Sequence, residues 1–280
     1  MPRSMTAAEK RRFSGYFPRL NVNRAVVTGN ATRVYNCISW TVGVTSRWIW
    51  PGSSIRNFDS FYTRYNLVRA SNGHIAAWGQ STSSMTHACI SGRGHGPRWE
   101  SKCGSDLRIQ HGLNELVSSS YGRVVAFYRQ RTPLTFDKEA EKFLSTFQEE
   151  GRVRISVTKA ERTALRAATR AVPANARKRF DELFVAWKKS WSAPHAQLFS
   201  DPGFVRFSPE FHNLVALGAE TIPLVVDRLV DTDNFFALQL YDVLQPESSL
   251  TVQLDEDDEL IVEGEQGRAA RTVKLYLSNF

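Results

Sequence analysis

Cys37 lies in the run Tyr35-Asn36-Cys37-Ile38-Ser39-Trp40, and His87 follows in Thr86-His87-Ala88-Cys89. A cysteine that opens a short helix meets unpaired N–H groups and the positive end of the dipole, which favour thiolate over thiol. A histidine on a later strand, within hydrogen-bond reach, takes the thiol proton and passes it to a leaving group. That pair does nucleophilic chemistry on amides. Cys37 between Tyr35 and Trp40 equally suits a small core hydrophobe, because buried free cysteines behave as such. A second chemistry, zinc binding by Cys37, Cys89, Cys103 and His87 or His95, lacks paired ligands two to four residues apart and reduces to a single H-x-C. The pattern therefore calls for no metal and no cofactor.

These residues need elements to hold them. Gly and Ser punctuation is dense at Trp50–Ser54, Ser71–Gly73 and Ser91–Pro97, and strand-like pieces lie between the breaks: His74–Trp78, Met85–Ile90, Arg98–Cys103 and Arg123–Arg129. Met85–Ile90 and Arg98–Cys103 read as a hairpin that carries His87 toward the Cys37 helix. Asn57–Tyr65 and Leu107–Ser118 read as helices. After Thr132-Pro133 the pattern becomes helical: Phe136–Glu150, Thr158–Ala171, Asn175–Ser190, Glu210–Leu217, Ile222–Val230 and Asp233–Leu244, with Arg152–Val157 as a possible strand. Phe180, Leu183, Phe184 and Trp187 form an i, i+3, i+4, i+7 stripe. Ser208-Pro209 is a helix start and Gly218 a helix stop. Leu250–Leu254, an acidic turn at Asp255–Glu259, Leu260–Glu263 and Val273–Leu277 read as a β tail. The expected fold is α+β for residues 1–134, then a mostly α-helical domain over 135–280 with a C-terminal β hairpin.

Composition narrows the classes. The 280 residues are 42% hydrophobic and 23% charged, typical of a globular chain, and no run has the length of a membrane span. Three cysteines do not make a disulfide framework, and the start MPRSMTAAEKRRF has no apolar leader, so a reducing, cytoplasmic location is expected. Residues 1–134 hold 18 Lys and Arg against 5 Asp and Glu, whereas 135–280 hold 18 against 23. A basic half attracts acidic partners, or the acidic half of its own chain. Its arginines are scattered singly and no nucleic-acid motif accompanies them, so nucleic acid is not the expected partner. Trp40, Trp48 and Trp50 are candidates to wall a substrate pocket, with core packing as the plainer account. His74, His111, His195 and His212 read as ordinary surface or core histidines.

The segments YNCISWTVGVTSRWIWPG, NFDSFYTRYNLV, THACI, RWESKCG and YGRVVAFYRQ together resemble an uncharacterised bacterial domain family with the pattern YNCIAWA…RWWWP…THAA…W-x-SK-x-G. FDELFVAWKKSW through NFFALQLYDVLQP is similar to a helical bacterial module. More distantly, the order of motifs resembles papain-like and NlpC-type cysteine hydrolases. That resemblance implies a papain-like first domain with Cys37 as nucleophile, His87 as base and an orienting residue on the strand Trp99–Gly104. The family's Asn is missing there, which leaves Glu100 or Ser101 for the task. The function expected is cysteine-dependent hydrolysis or acyl transfer at an amide of a protein or peptide, with the Cys37 N–H as an oxyanion donor. The alternatives are a non-enzymatic interaction protein whose basic half binds an acidic partner, and a toxin-like effector using the same Cys–His site.

Overall fold

The computed structural model of the protein describes residues 2–91, 98–131, 153–254 and 259–279. Its first half is built on an eight-stranded antiparallel sheet: β1 Arg3–Ser4, β2 Val26–Gly29, β3 Leu67–Ala70, β4 Ile75–Ser81, β5 Ser84–Ser91, β6 Trp99–Lys102, β7 Arg108–His111 and β8 Arg123–Gln130. The spatial order is β1-β2-β7-β6-β5-β4-β8-β3. Strand β4 (IAAWGQS) is apolar on both faces because both faces are covered. Ala77 of β4 with Ala88 and Ile90 of β5 pack against the helices α2 (Cys37–Thr41) and α3 (Ile55–Arg64). Ala76, Trp78 and Cys89 face the other way, onto Phe13 of α1 (Ala7–Tyr16), its C-cap Phe17, and Leu116 and Tyr121. Helix α3 starts where the sequence allows it, at a capping box formed by Ser54 and Asn57, and it buries Phe58, Phe61 and Tyr62.

The second half is mostly helical: α4 Lys159–Ala171, α5 Ala174–Ser190, α6 Pro209–Val215, α7 Ile222–Leu229, α8 Leu238–Leu244 and α9 Gly264–Leu277, joined by short 3-10 turns. Two expectations are corrected here. Among the described residues the C-terminal β hairpin is absent: Leu260–Glu263 lies in a 3-10 helix and Val273–Leu277 lies in α9. Ala269, Thr272, Val273, Tyr276 and Leu277 are all buried at helical spacing, and the apolar residues of Val273–Leu277 belong to one stripe of a buried helix. Leu107–Ser118 is not a helix: Arg108–His111 is the strand β7, with Ile109 and His111 on one face and Arg108 and Gln110 on the other. Val153–Val157 has no regular structure. The expected helix over 136–150, the junction at 132–135, the loop residues 92–97 and most of the acidic turn (255–258) lie outside the described residues.

The halves share cores. Trp48 is packed among the helices, its ring 5.6 Å from that of Phe235 and 5.4 Å from that of Phe236. Leu198 completes the core under α1, and Ile261 enters the core under α2 and α3. From α9, Gln266 accepts the Trp48 N–H (2.8 Å) through Oε1 and donates to the Val34 carbonyl (3.0 Å) through Nε2. The loop on each side of Cys37 is thereby fixed by a residue more than two hundred positions away.

Candidate functional site

Asn36 is the N-cap of α2. Its Oδ1 accepts the Ser39 N–H (3.1 Å) and hydroxyl (2.7 Å), which leaves Nδ2 to donate to the Ile49 carbonyl (2.7 Å). Cys37 follows in the first turn and is fully buried. Its Sγ lies 3.0 Å from the Ser200 hydroxyl. Burial pushes the thiol up to about 11; the Ser200 hydroxyl, the Ala88 and Ile38 N–H groups and the nearby Lys102 charge act in the opposite direction. The Ala88 N–H points to a sulfur that lies beside β5, next in the chain to His87.

His87 belongs to the other face of β5. Its ring stacks on Tyr121 with centroids 4.0 Å apart and planes 7° off parallel. Nε2 lies 2.9 Å from Ser101 Oγ, that oxygen lies 2.8 Å from His111 Nε2, and His111 Nδ1 lies 2.8 Å from the Gly112 carbonyl. Burial lowers the affinity of both histidines for a second proton: His111 falls to about 4 and His87 falls well below its usual range, with His111 as the smaller cause for His87. Both rings are therefore neutral near pH 7, and one proton arrangement satisfies the chain. A carbonyl only accepts, so His111 carries its proton on Nδ1 and accepts at Nε2 from the Ser101 hydroxyl. Ser101 has then spent its only proton and must accept from His87 Nε2–H. His87 Nδ1 is left as a bare, buried lone pair with no hydrogen-bond partner among the described residues.

Ser101 thus lies against His87, whereas Glu100 does not. Successive strand residues point to opposite faces, and Glu100 accepts from Thr28 Oγ1 (2.8 Å) and pairs with Arg108 Nε (2.8 Å) across the sheet from His87. The Arg108 guanidinium lies 3.9 Å over the Trp40 ring. The three tryptophans are placed apart: Trp40 is under Arg108, Trp48 is in the helical core with its Nε1 donating to the Ser200 carbonyl (2.8 Å), and Trp50 is edge-on to Phe58 at 6.0 Å. A cavity of about 570 Å³ opens instead on the other side of Ser200, lined by Ser53, Met85, Thr86, Phe199, Phe204 and neighbours, and none of the three tryptophans lines it. No contact within hydrogen-bonding distance joins Cys37 to His87 among the described residues.

Three residues that sequence reasoning passed over matter here. His111 ends the proton chain; its placement two residues after Ile109 on a strand is the signal, hidden by the helical reading of that stretch. Lys102 is fully buried, with Nζ donating to the carbonyls of Thr32 (3.1 Å), Gly104 (2.6 Å) and Asp106 (2.7 Å), and burial brings it down to about 7. Ser200 carries no local signal at all. Among the described residues no group of three or more His, Cys, Asp or Glu is arranged to hold a metal ion, and no helix is long and apolar enough to cross a membrane.

No curated protein and no solved structure matches the chain. Residues 26–129, which carry Cys37, His87, Ser101 and His111 but not Ser200, match the model of a family described as a domain of unknown function (DUF7689).

Proposed function

We propose that the protein is a cysteine-dependent hydrolase or acyltransferase acting on an amide of a peptide or protein, with a papain-like division of labour between Cys37 and His87. The observation that carries this reading is the bare Nδ1 of His87. A core histidine is normally satisfied at both nitrogens, because an unpaired buried polar atom costs about 1–3 kcal/mol. Here one nitrogen is fixed by Ser101 and His111 while the other is kept free, beside a strand whose next N–H reaches the Cys37 sulfur.

In the reaction, Sγ attacks the amide carbon and its proton passes to His87 Nδ1, a transfer that requires β5 to shift, because the two side chains lie on opposite faces of that strand. The resulting imidazolium then carries a proton on each nitrogen. It returns the Nδ1 proton to the amide nitrogen as the C–N bond breaks, and water or a second nucleophile then cleaves the thioester. Because the free thiol is pushed up to about 11, Cys37 starts as a neutral thiol and His87 acts as a general base rather than as a standing imidazolium.

The test is covalent labelling of Cys37 in the full chain by a peptidyl vinyl sulfone, followed by mass spectrometry. His87→Ala is expected to slow labelling by about a hundredfold or more, the usual contribution of a positioned base. Equal rates in the two proteins, under conditions where Cys37 is open to the reagent, would sink the reading. The complete burial of Cys37 favours a second one, a non-enzymatic module whose basic half docks an acidic partner. On that account both proteins label equally slowly, and binding to an acidic polypeptide falls steeply with salt.

A further inference from the structure

The second half of the chain lays a short segment across the Cys37 site. Phe199 and Asp201 have extended backbone angles, and the segment is held by its carbonyls. Gln197 O accepts from Ser105 N–H (2.7 Å), and Leu198 O accepts from the Tyr121 hydroxyl (3.1 Å). Ser200 O accepts from Trp48 Nε1 (2.8 Å) with Asn36 Nδ2 at 3.5 Å. Ser200 is 1% exposed, and its hydroxyl is on the Cys37 sulfur. Gly104 has φ +52°, and a Cβ built there would lie 2.1 Å from Gln197 O, so the first half is shaped to receive the segment closely.

Two side-chain N–H groups converging on one carbonyl beside a thiol is the arrangement an acyl-transfer site needs for the carbonyl it attacks. The chain fills that position with its own Ser200. We propose that Phe199–Asp201 is a resident, substrate-like occupant of a peptide-binding cleft, that Trp48 Nε1 and Asn36 Nδ2 are the donors that receive a substrate carbonyl, and that Cys37 acts only when the segment withdraws. The identity of the displaced ligand as a peptide substrate rests on the thiol-enzyme reading above. The cavity lies on the far side of Ser200 and gives the incoming chain room, with Thr86 and Ser200 in its lining. Ser200 lies outside the matched span 26–129, so the cover is supplied by the part of this chain that the family model does not include.

The experiment is iodoacetamide labelling of the full chain, read at each cysteine, for the wild type and for Gly104→Ala, whose Cβ pushes the segment away. In the wild type, Cys37 is expected to label as slowly as the buried Cys89 and Cys103. In Gly104→Ala its rate is expected to rise about tenfold or more while Cys89 and Cys103 stay protected, the pattern of local rather than global opening. A synthetic capped peptide of residues 197–202, added to the variant, is expected to restore protection. Fast wild-type labelling, no gain in the variant, or a gain that the peptide does not reverse would each overturn the proposal. If Gly104→Ala opens all three thiols together, Trp48→Phe, which deletes one donor and keeps a ring, is judged by the same criteria. His87→Ala in the opened background separates the two ideas. Loss of any His87 dependence there defeats the thiol-enzyme reading and leaves the resident segment standing.

Discussion

A buried imidazole pair linked through one hydroxyl has a defined response to acid. His111 holds a second proton only near pH 4 in the folded protein, against about 6.5 in an unfolded chain. The unfolded state therefore binds more protons between those values, and stability is full above about pH 6.5 and lost as pH falls toward about 4. The loss from His111 alone is roughly 3 kcal/mol by linkage. Denaturant titrations at pH 7 and pH 5 check the sign, and His111→Gln is expected to flatten the pH dependence. Imidazole nitrogen NMR checks the proton arrangement directly: His87 is expected to be protonated at Nε2 and His111 at Nδ1. Ser101→Ala removes the link and leaves His111 Nε2 without its donor, at an expected cost of about 1–3 kcal/mol. At this scale the sequence was readable where chemistry is local. Cys37 at the start of a short helix and His87 on a strand are visible in order and type. Ser200, Lys102 and the role of His111 are not, because each depends on which residues from remote elements arrive beside it.

Elements explain how far that reading reaches. Strands β4, β5, β6 and β8 stand out because short apolar runs are bounded by Gly and Ser, and α3 to α8 because apolar residues recur at helical spacing next to caps or stops. Strand β7 and helix α9 were misread for one reason. Leu107, Ile109 and Leu116 fit a helix or a strand in isolation, and so do Val273 and Leu277, and in both cases burial by tertiary partners decides. Helix α9 also does something its pattern does not announce, since Gln266 bridges Trp48 and Val34 on either side of the Cys37 helix. Gln266→Ala leaves the buried Trp48 N–H unpaired, at an expected cost of about 1–3 kcal/mol. Hydrogen exchange is expected to quicken at residues 34–49 and to leave β4 and β8 unchanged. Equal acceleration throughout the sheet would show that the bridge is not local.

Across the whole molecule, the two differently charged halves are joined by shared cores and by hydrogen bonds to main-chain carbonyls. Leu198 is the clearest case, a residue of the helical half that is fully buried under α1 of the other half. Leu198→Ala is expected to cost about 2–5 kcal/mol. It is also expected to lower the unfolding midpoint of sheet and helices together, seen as one coincident transition by near-ultraviolet and far-ultraviolet circular dichroism. Two separated transitions would mean that the halves unfold independently. The change in composition near residue 134 falls between the last strand, which ends at Gln130, and the described helices, which start at Lys159, and packing joins the described residues of the two halves.

The long reach of Ser200 and Gln266 gives biosynthesis an order of events. A ribosome that has delivered residue 130 has supplied every strand of the sheet, along with Cys37, His87, Ser101 and His111. At roughly 5–20 residues per second, Ser200 follows only seconds later, and Gln266 after an interval on the order of ten seconds. During that time Cys37 lacks its Ser200 neighbour and the loop around it lacks the Gln266 bridge, so the newborn chain passes through a period without the cover that the finished molecule has.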